Sequence, residues 1–106
     1  MAKYLVQANY VGEGLKGLLK EGGSSRRAAV EKMFASVGGK VEAFYYAFGD
    51  TDLLIIADMP DNVSAAALSL TVTAAGKATS KVTVLLTAEE IDAAAKKTPS
   101  YRGPGE

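Results

Sequence analysis

The amino-acid order predicts an α+β domain: a four-stranded antiparallel sheet with helices on one of its faces. Three observations predict it. Residues 41–48 and 53–59 are two runs rich in aromatic and β-branched side chains, joined by the polar link Gly49-Asp50-Thr51-Asp52, as two adjacent antiparallel strands require. Residues 3–10 and 79–86 alternate along the chain with the two-residue period of a strand. Between these outer strands and the central pair lie stretches whose apolar residues fall three and four apart, the spacing of a helix face.

Taken in order, the first strand sets Tyr4, Val6, Ala8 and Tyr10 on one face and Leu5, Gln7 and Asn9 on the other. Two amides make that second face either solvated or part of a polar cavity. Residues 12–20 form a short helix through Leu15, Leu18 and Leu19, an apolar stripe expected to join the core, broken by Gly22-Gly23. A longer helix follows, capped by Ser24 or Ser25, with Val30, Met33, Phe34 and Val37 as its buried stripe and Gly38-Gly39 as its end. Beyond the central hairpin, Pro60-Asp61-Asn62 turns the chain, and Asp61 or Asn62 caps a helix over 63–75 whose buried side is Val63, Ala66, Ala67, Leu70 and Ala74. The last strand opposes Val82, Val84 and Leu86 to Lys81, Thr83 and Leu85. Thr87-Ala88-Glu89-Glu90 has capping-box spacing and opens a short C-terminal helix to about residue 97. The result is one domain over 1–97 and a flexible tail over 98–106, which is either disordered or an arm on a neighbour. The order β-α-β-β-α-β plus a short C-terminal helix is the ferredoxin-like sandwich.

Composition narrows the function classes. The chain has 106 residues, and twelve basic and twelve acidic side chains cancel, so no electrostatic footprint points to nucleic acid or to an anionic membrane surface. It has neither Cys nor His, which removes thiolate nucleophiles, disulfides, the commonest general base at neutral pH and the usual zinc and haem ligands. No metal or cofactor is expected. The N-terminal residues have no signal-type apolar run, so a cytoplasmic protein is expected.

The run 53–56 is apolar on consecutive positions, so both of its faces need cover, and one layer of helices covers only one. If Tyr4, Val6, Val82 and Val84 lie under the helices, the open face presents Leu5, Gln7, Asn9, Lys81, Thr83 and Leu85. Such a mixed face suits association with a second copy, most simply as a sheet-to-sheet dimer. Gln7, Asn9, Lys81 and Thr83, with Tyr45 or Tyr46, would then orient a small organic ligand between subunits, or else form cross-strand pairs within the interface. Asp50 and Asp52 are either an acid/base pair or ordinary turn residues bonding the local backbone. Ser24, Ser25, Arg26 and Arg27 at a helix start are either an anion seat or a cap followed by solvated arginines.

Several segments together resemble one family: Tyr10-Val11-Gly12-Glu13-Gly14-Leu15-Lys16-Gly17-Leu18, Arg26-Arg27-Ala28-Ala29-Val30-Glu31-Lys32, Gly38-Gly39-Lys40, Phe48-Gly49-Asp50-Thr51-Asp52, Pro60-Asp61-Asn62 and Leu86-Thr87-Ala88-Glu89-Glu90. From residue 3 to about 93 the chain resembles the GYD domain family, with Thr51 where that family commonly has an aromatic. The resemblance implies a ferredoxin-like fold akin to the dimeric α/β-barrel superfamily, whose members pair through their sheets. It implies no established activity, although the superfamily contains small monooxygenases and isomerases. Three functions are therefore expected to compete: a homo-oligomeric module that binds a small molecule or simply self-associates, a cofactor-independent enzyme working in an inter-subunit cavity, and a structural component of a higher-order assembly.

Overall fold

The computed structural model describes residues 2–106. In chain order the elements are β1 (Ala2–Tyr10), α1 (Gly12–Glu21), α2 (Gly23–Ala35), β2 (Lys40–Tyr46), β3 (Leu53–Met59), α3 (Asn62–Ala75), β4 (Ala78–Leu85) and α4 (Ala88–Ala95). Every strand neighbour is antiparallel, and the sheet runs β2-β3-β1-β4. This is the ferredoxin-like order, in which each helical crossover returns the chain to the same sheet and leaves β2 and β4 as edges. Among the described residues no helix is long and apolar enough to cross a membrane.

Strand parity separates the two faces. Tyr4, Ala8, Leu53, Ile55, Ala57 and Met59 point toward the helices and are buried against Val30 and Phe34 of α2 and Ala65 and Leu68 of α3. Burying a large apolar side chain of this kind contributes about 1.5–3 kcal/mol, so this layer holds the fold together. α2 ends through Ser36 and Gly38, whose φ of 81° is the left-handed conformation that favours glycine. α3 starts with the Asp61 side chain accepting from the Ser64 N–H at 2.8 Å. α4 starts with the full capping box between Thr87 and Glu90.

Four expectations from the sequence need correction. The strand of the central hairpin ends at Tyr46, and Phe48 stands fully exposed in the connecting turn. α2 begins at Gly23 with Gly22 as its cap residue, so Ser24 and Ser25 lie inside the helix and cap nothing. The covered face of α3 carries Ala65 and Leu68, with Ser69 and Val72 half-covered, whereas Val63 and Leu70 are exposed. Apolar residues occupy nearly every side of this helix, so periodicity cannot choose its inner face. The stripe of α1 is not core either: Leu19 is 79% exposed and Leu15 47%. The start of α1 is held at the end of the sheet, where the Val11 N–H donates to the Lys77 carbonyl at 3.0 Å and a Cβ at Gly14 would fall 1.9 Å from that same oxygen.

The molecule is elongated, 57 × 32 × 24 Å, with a radius of gyration of 16.9 Å. A compact chain of this length has a radius of about 13 Å. α4 has no buried residue and packs against none of the other elements to any extent, consistent with that elongation.

Candidate functional site

Register sorts the open face into rungs. One rung is Lys40, Asp58, Lys3 and Leu85; the next is Ala43, Ile56, Leu5 and Thr83; the third is Tyr45, Leu54, Gln7 and Lys81; Asn9 and Thr79 make the last. The face thus grades from a charged end through an apolar middle to a polar end. At the charged end, Lys3 donates to Glu42 and to Asp58, the latter at 3.1 Å. These bonds, the one to Glu42 foremost, raise the Lys3 ammonium pKa above its ordinary value.

Gln7, Asn9, Lys81 and Thr83 all lie on this face, and so does Tyr45, which is 70% exposed. Tyr46 does not. A bulge between Val41 and Ala43 sets the parity of β2, and Tyr46 turns under the start of α2, where its hydroxyl donates to the Gly23 carbonyl at 3.0 Å and its ring meets Phe44 edge-on at 5.4 Å. Burial, with Tyr10 nearby, raises the Tyr46 phenol pKa. Gln7, Asn9 and Lys81, together with Thr51 and Thr79, line a shallow depression of about 260 Å³ at the polar end.

Much of that polarity is spent on the fold. The Asn9 side-chain oxygen accepts the Asp52 N–H at 2.8 Å, and the Asp52 carboxylate accepts the Tyr10 N–H at 2.9 Å. The Asp52 N–H also reaches the Ala8 carbonyl at 3.1 Å, and its own carbonyl accepts from the Ala47 N–H at 2.8 Å. Asp52 is therefore a clasp between the end of β1 and the hairpin, while Asp50 is exposed in the turn and is not held against it. Gln7 donates to the Thr51 hydroxyl at 3.4 Å, a long and weak bond.

The start of α2 makes a poor anion seat. Ser25 donates to the Glu21 carboxylate at 3.2 Å, which places negative charge where an anion would sit. Arg27 pairs with Glu31 at 3.5 Å and lies over the Phe44 ring at 5.7 Å. Arg26 differs from both: it is half-buried, forms no ion pair among the described residues, and faces a different space.

That space is a crevice of about 100 Å³ between the helix layer and the sheet. α2 packs chiefly on β2 and α3 chiefly on β4, so the two helices part over β1 and β3. The floor is Val6, Ala8 and Ile55, the walls include Val30 and Val72, and Tyr10, Arg26, Ser69 and Ser80 bring the polar groups. Ser69 and Ser80 bond each other at 3.1 Å across it. No periodicity announces such a gap. The trace in the sequence is that α3 places the small Ala65 and Ser69 among the residues that line the gap.

The arrangement can enclose an apolar group and place a cation beside it. Of its candidate acid and base groups, Asp52 and Asn9 are occupied by backbone and Tyr46 is biased toward its protonated form. No curated protein and no solved structure matches the chain significantly. The GYD domain, however, matches from residue 4 to residue 95, spanning all eight elements of the fold. The chain belongs to the GYD domain family.

Proposed function

We propose that this domain is a self-associating binding module that holds a small apolar or aromatic acid in the crevice between α2, α3 and the sheet. The observation that carries the reading is the half-buried, unpaired Arg26 lining a mainly apolar crevice. Leaving a cation partly desolvated is costly unless something anionic visits it, and a carboxylate is its natural two-pronged partner. Size limits the guest. An engineered apolar cavity of about 150 Å³ admits benzene, so this open crevice of about 100 Å³ takes part of one small ring or a branched aliphatic tail, with the acid left outside it. Self-association is supported by the apolar middle of the open face, where Leu5, Leu54 and Ile56 lie side by side with no helix above them. Stacking of two such faces would also roof the depression at Gln7, Asn9 and Lys81, giving a second, polar chamber. Binding without chemistry is favoured over an enzyme because Asn9 and Asp52 are engaged with backbone and Ser69 and Ser80 with each other.

Amide chemical shifts followed by NMR during titration with sodium benzoate, and separately with toluene, test this. Benzoate is expected to perturb Tyr10, Arg26 and Ser69 and to bind more tightly than toluene. Arg26→Leu should erase that preference, and Ser69→Phe should abolish both responses by filling the crevice. Absence of any response, or one confined to Gln7 and Lys81, would overturn the crevice as the site.

A further inference from the structure

α4 is a helix without a partner. Eight residues fall short of the about 12–15 needed for even marginal helicity in water, and a capping box adds only about 1 kcal/mol. Its Ile91 is 52% exposed, and Ala88, Ile91 and Ala95 make one narrow stripe with a single large knob between two small residues. The link to it, Leu86-Thr87, is extended at Thr87, with φ −75° and ψ 164°, and carries the helix away from its own body.

Beside the root of this arm is a matching vacancy. A groove of about 440 Å³ runs between α3 and the edge strand β4, floored by Ala65, Ala66, Val82 and Val84 and flanked by Leu70. Leu70 is 71% exposed and Val84 half-exposed although it points to the helix side. The alanines allow a helix to lie close, and the flanking Leu70 and Val84 make a socket for one branched side chain.

We infer that α4 of one copy packs into the α3–β4 groove of a second copy, the two arms being exchanged reciprocally about a two-fold axis. The inference rests on the self-association proposed above and names where the arm goes. The occupant is a second copy of this chain because α4 leaves its own groove empty and packs on no element of its own chain, although that groove begins one residue before the end of β4, from which the arm departs. In such an arrangement the contacts an arm could make at home are made abroad, the usual geometry of exchanged elements. Area points the same way. Four strands about 4.8 Å apart and about eight residues long offer a face of about 500 Å² per copy, so two stacked faces fall near or below the about 1,200 Å² of stable interfaces. Two exchanged arms would supply the remainder.

The absence of cysteine from the chain makes the test direct. Ile91→Cys and Leu70→Cys proteins are mixed and oxidised, with Ala95→Cys as a second arm position and Leu19→Cys on exposed α1 as control; light scattering on the unmodified chain runs in parallel. The expected result is conversion of most of the Ile91→Cys and Leu70→Cys mixture to a covalent heterodimer, with little in the mixture of Ile91→Cys and Leu19→Cys. The doubly substituted chain, Ile91→Cys with Leu70→Cys, should give linked dimers and not a closed monomer. A closed monomer, or yields equal to the control from both arm positions, in a protein that remains dimeric would overturn arm exchange and leave self-association standing. A monomer by light scattering would overturn both.

Discussion

The two faces of the sheet are built from the same four strands and differ only in which alternate residues they show. Toward the helices, Leu53, Ile55, Ala57 and Met59 of β3 are buried. Away from them, Leu54 and Ile56 of the same strand remain half-covered, in line with Leu5 and flanked by Gln7 and Lys81. One face is a finished core, sealed by α2 and α3. The other is apolar along its centre line but polar at both ends, the mixed composition on which the proposed self-association rests. Under the proposed self-association, sequence neighbours serve fold and association in turn, and substitutions one position apart should separate the two.

The largest effect is expected on the sealed face. Phe34→Ala removes a fully buried ring and should cost about 3–5 kcal/mol, read as a lowered midpoint in urea. Ile56→Asp, on the opposite face, should leave the unfolding midpoint of the isolated subunit far less changed and instead convert the proposed dimer to a monomer by light scattering; a dimer that survives this change would break the comparison. Asp52→Ala acts at the polar end where the faces meet. It strands the Tyr10 N–H, at about 1–2 kcal/mol, and should speed hydrogen exchange at Tyr10 and Ala47 before the rest of the sheet. The smallest effect concerns the helix layer alone. The Ser64 backbone bond holds the Asp61 carboxyl below its usual 3.8. A lowered folded-state value means stability that is fully present above the unfolded value and is lost as pH falls through the folded one. Asp61→Asn, which can still cap, should therefore flatten the acid limb of stability below about pH 4 while leaving neutral stability nearly unchanged.

How much of this was legible in the sequence follows from the range of the forces involved. Parity along β1 and β4 was readable because Gln7, Asn9, Lys81 and Thr83 interrupt apolar positions at every second residue, and the caps at Asp61 and Thr87 are local chemistry over three residues. The GYD resemblance was likewise readable from its short motifs. The orientation of α3 was not, because Val63, Ala65, Leu68 and Leu70 offer several apolar sides and only the approach of the sheet selects one. Nor was the choice between Tyr45 and Tyr46, two identical residues whose facing depends on a bulge four residues upstream. The crevice beside Arg26 and the Asp52 clasp are created by residues more than forty positions apart, so no local pattern could reveal them.

β4 is an edge, and the consequence reaches beyond the single molecule. Ala78–Leu85 is rich in threonine and valine, and Lys81 is its lone charge. Among the described residues, no strand lies beside one flank of its amides and carbonyls. Such a ribbon is a template on which like ribbons can add one after another into a fibre, and a lysine is the common deterrent. Shielding of that flank at high protein concentration is thus a matter of colloidal safety, and Lys81→Val is the change most apt to make the protein precipitate.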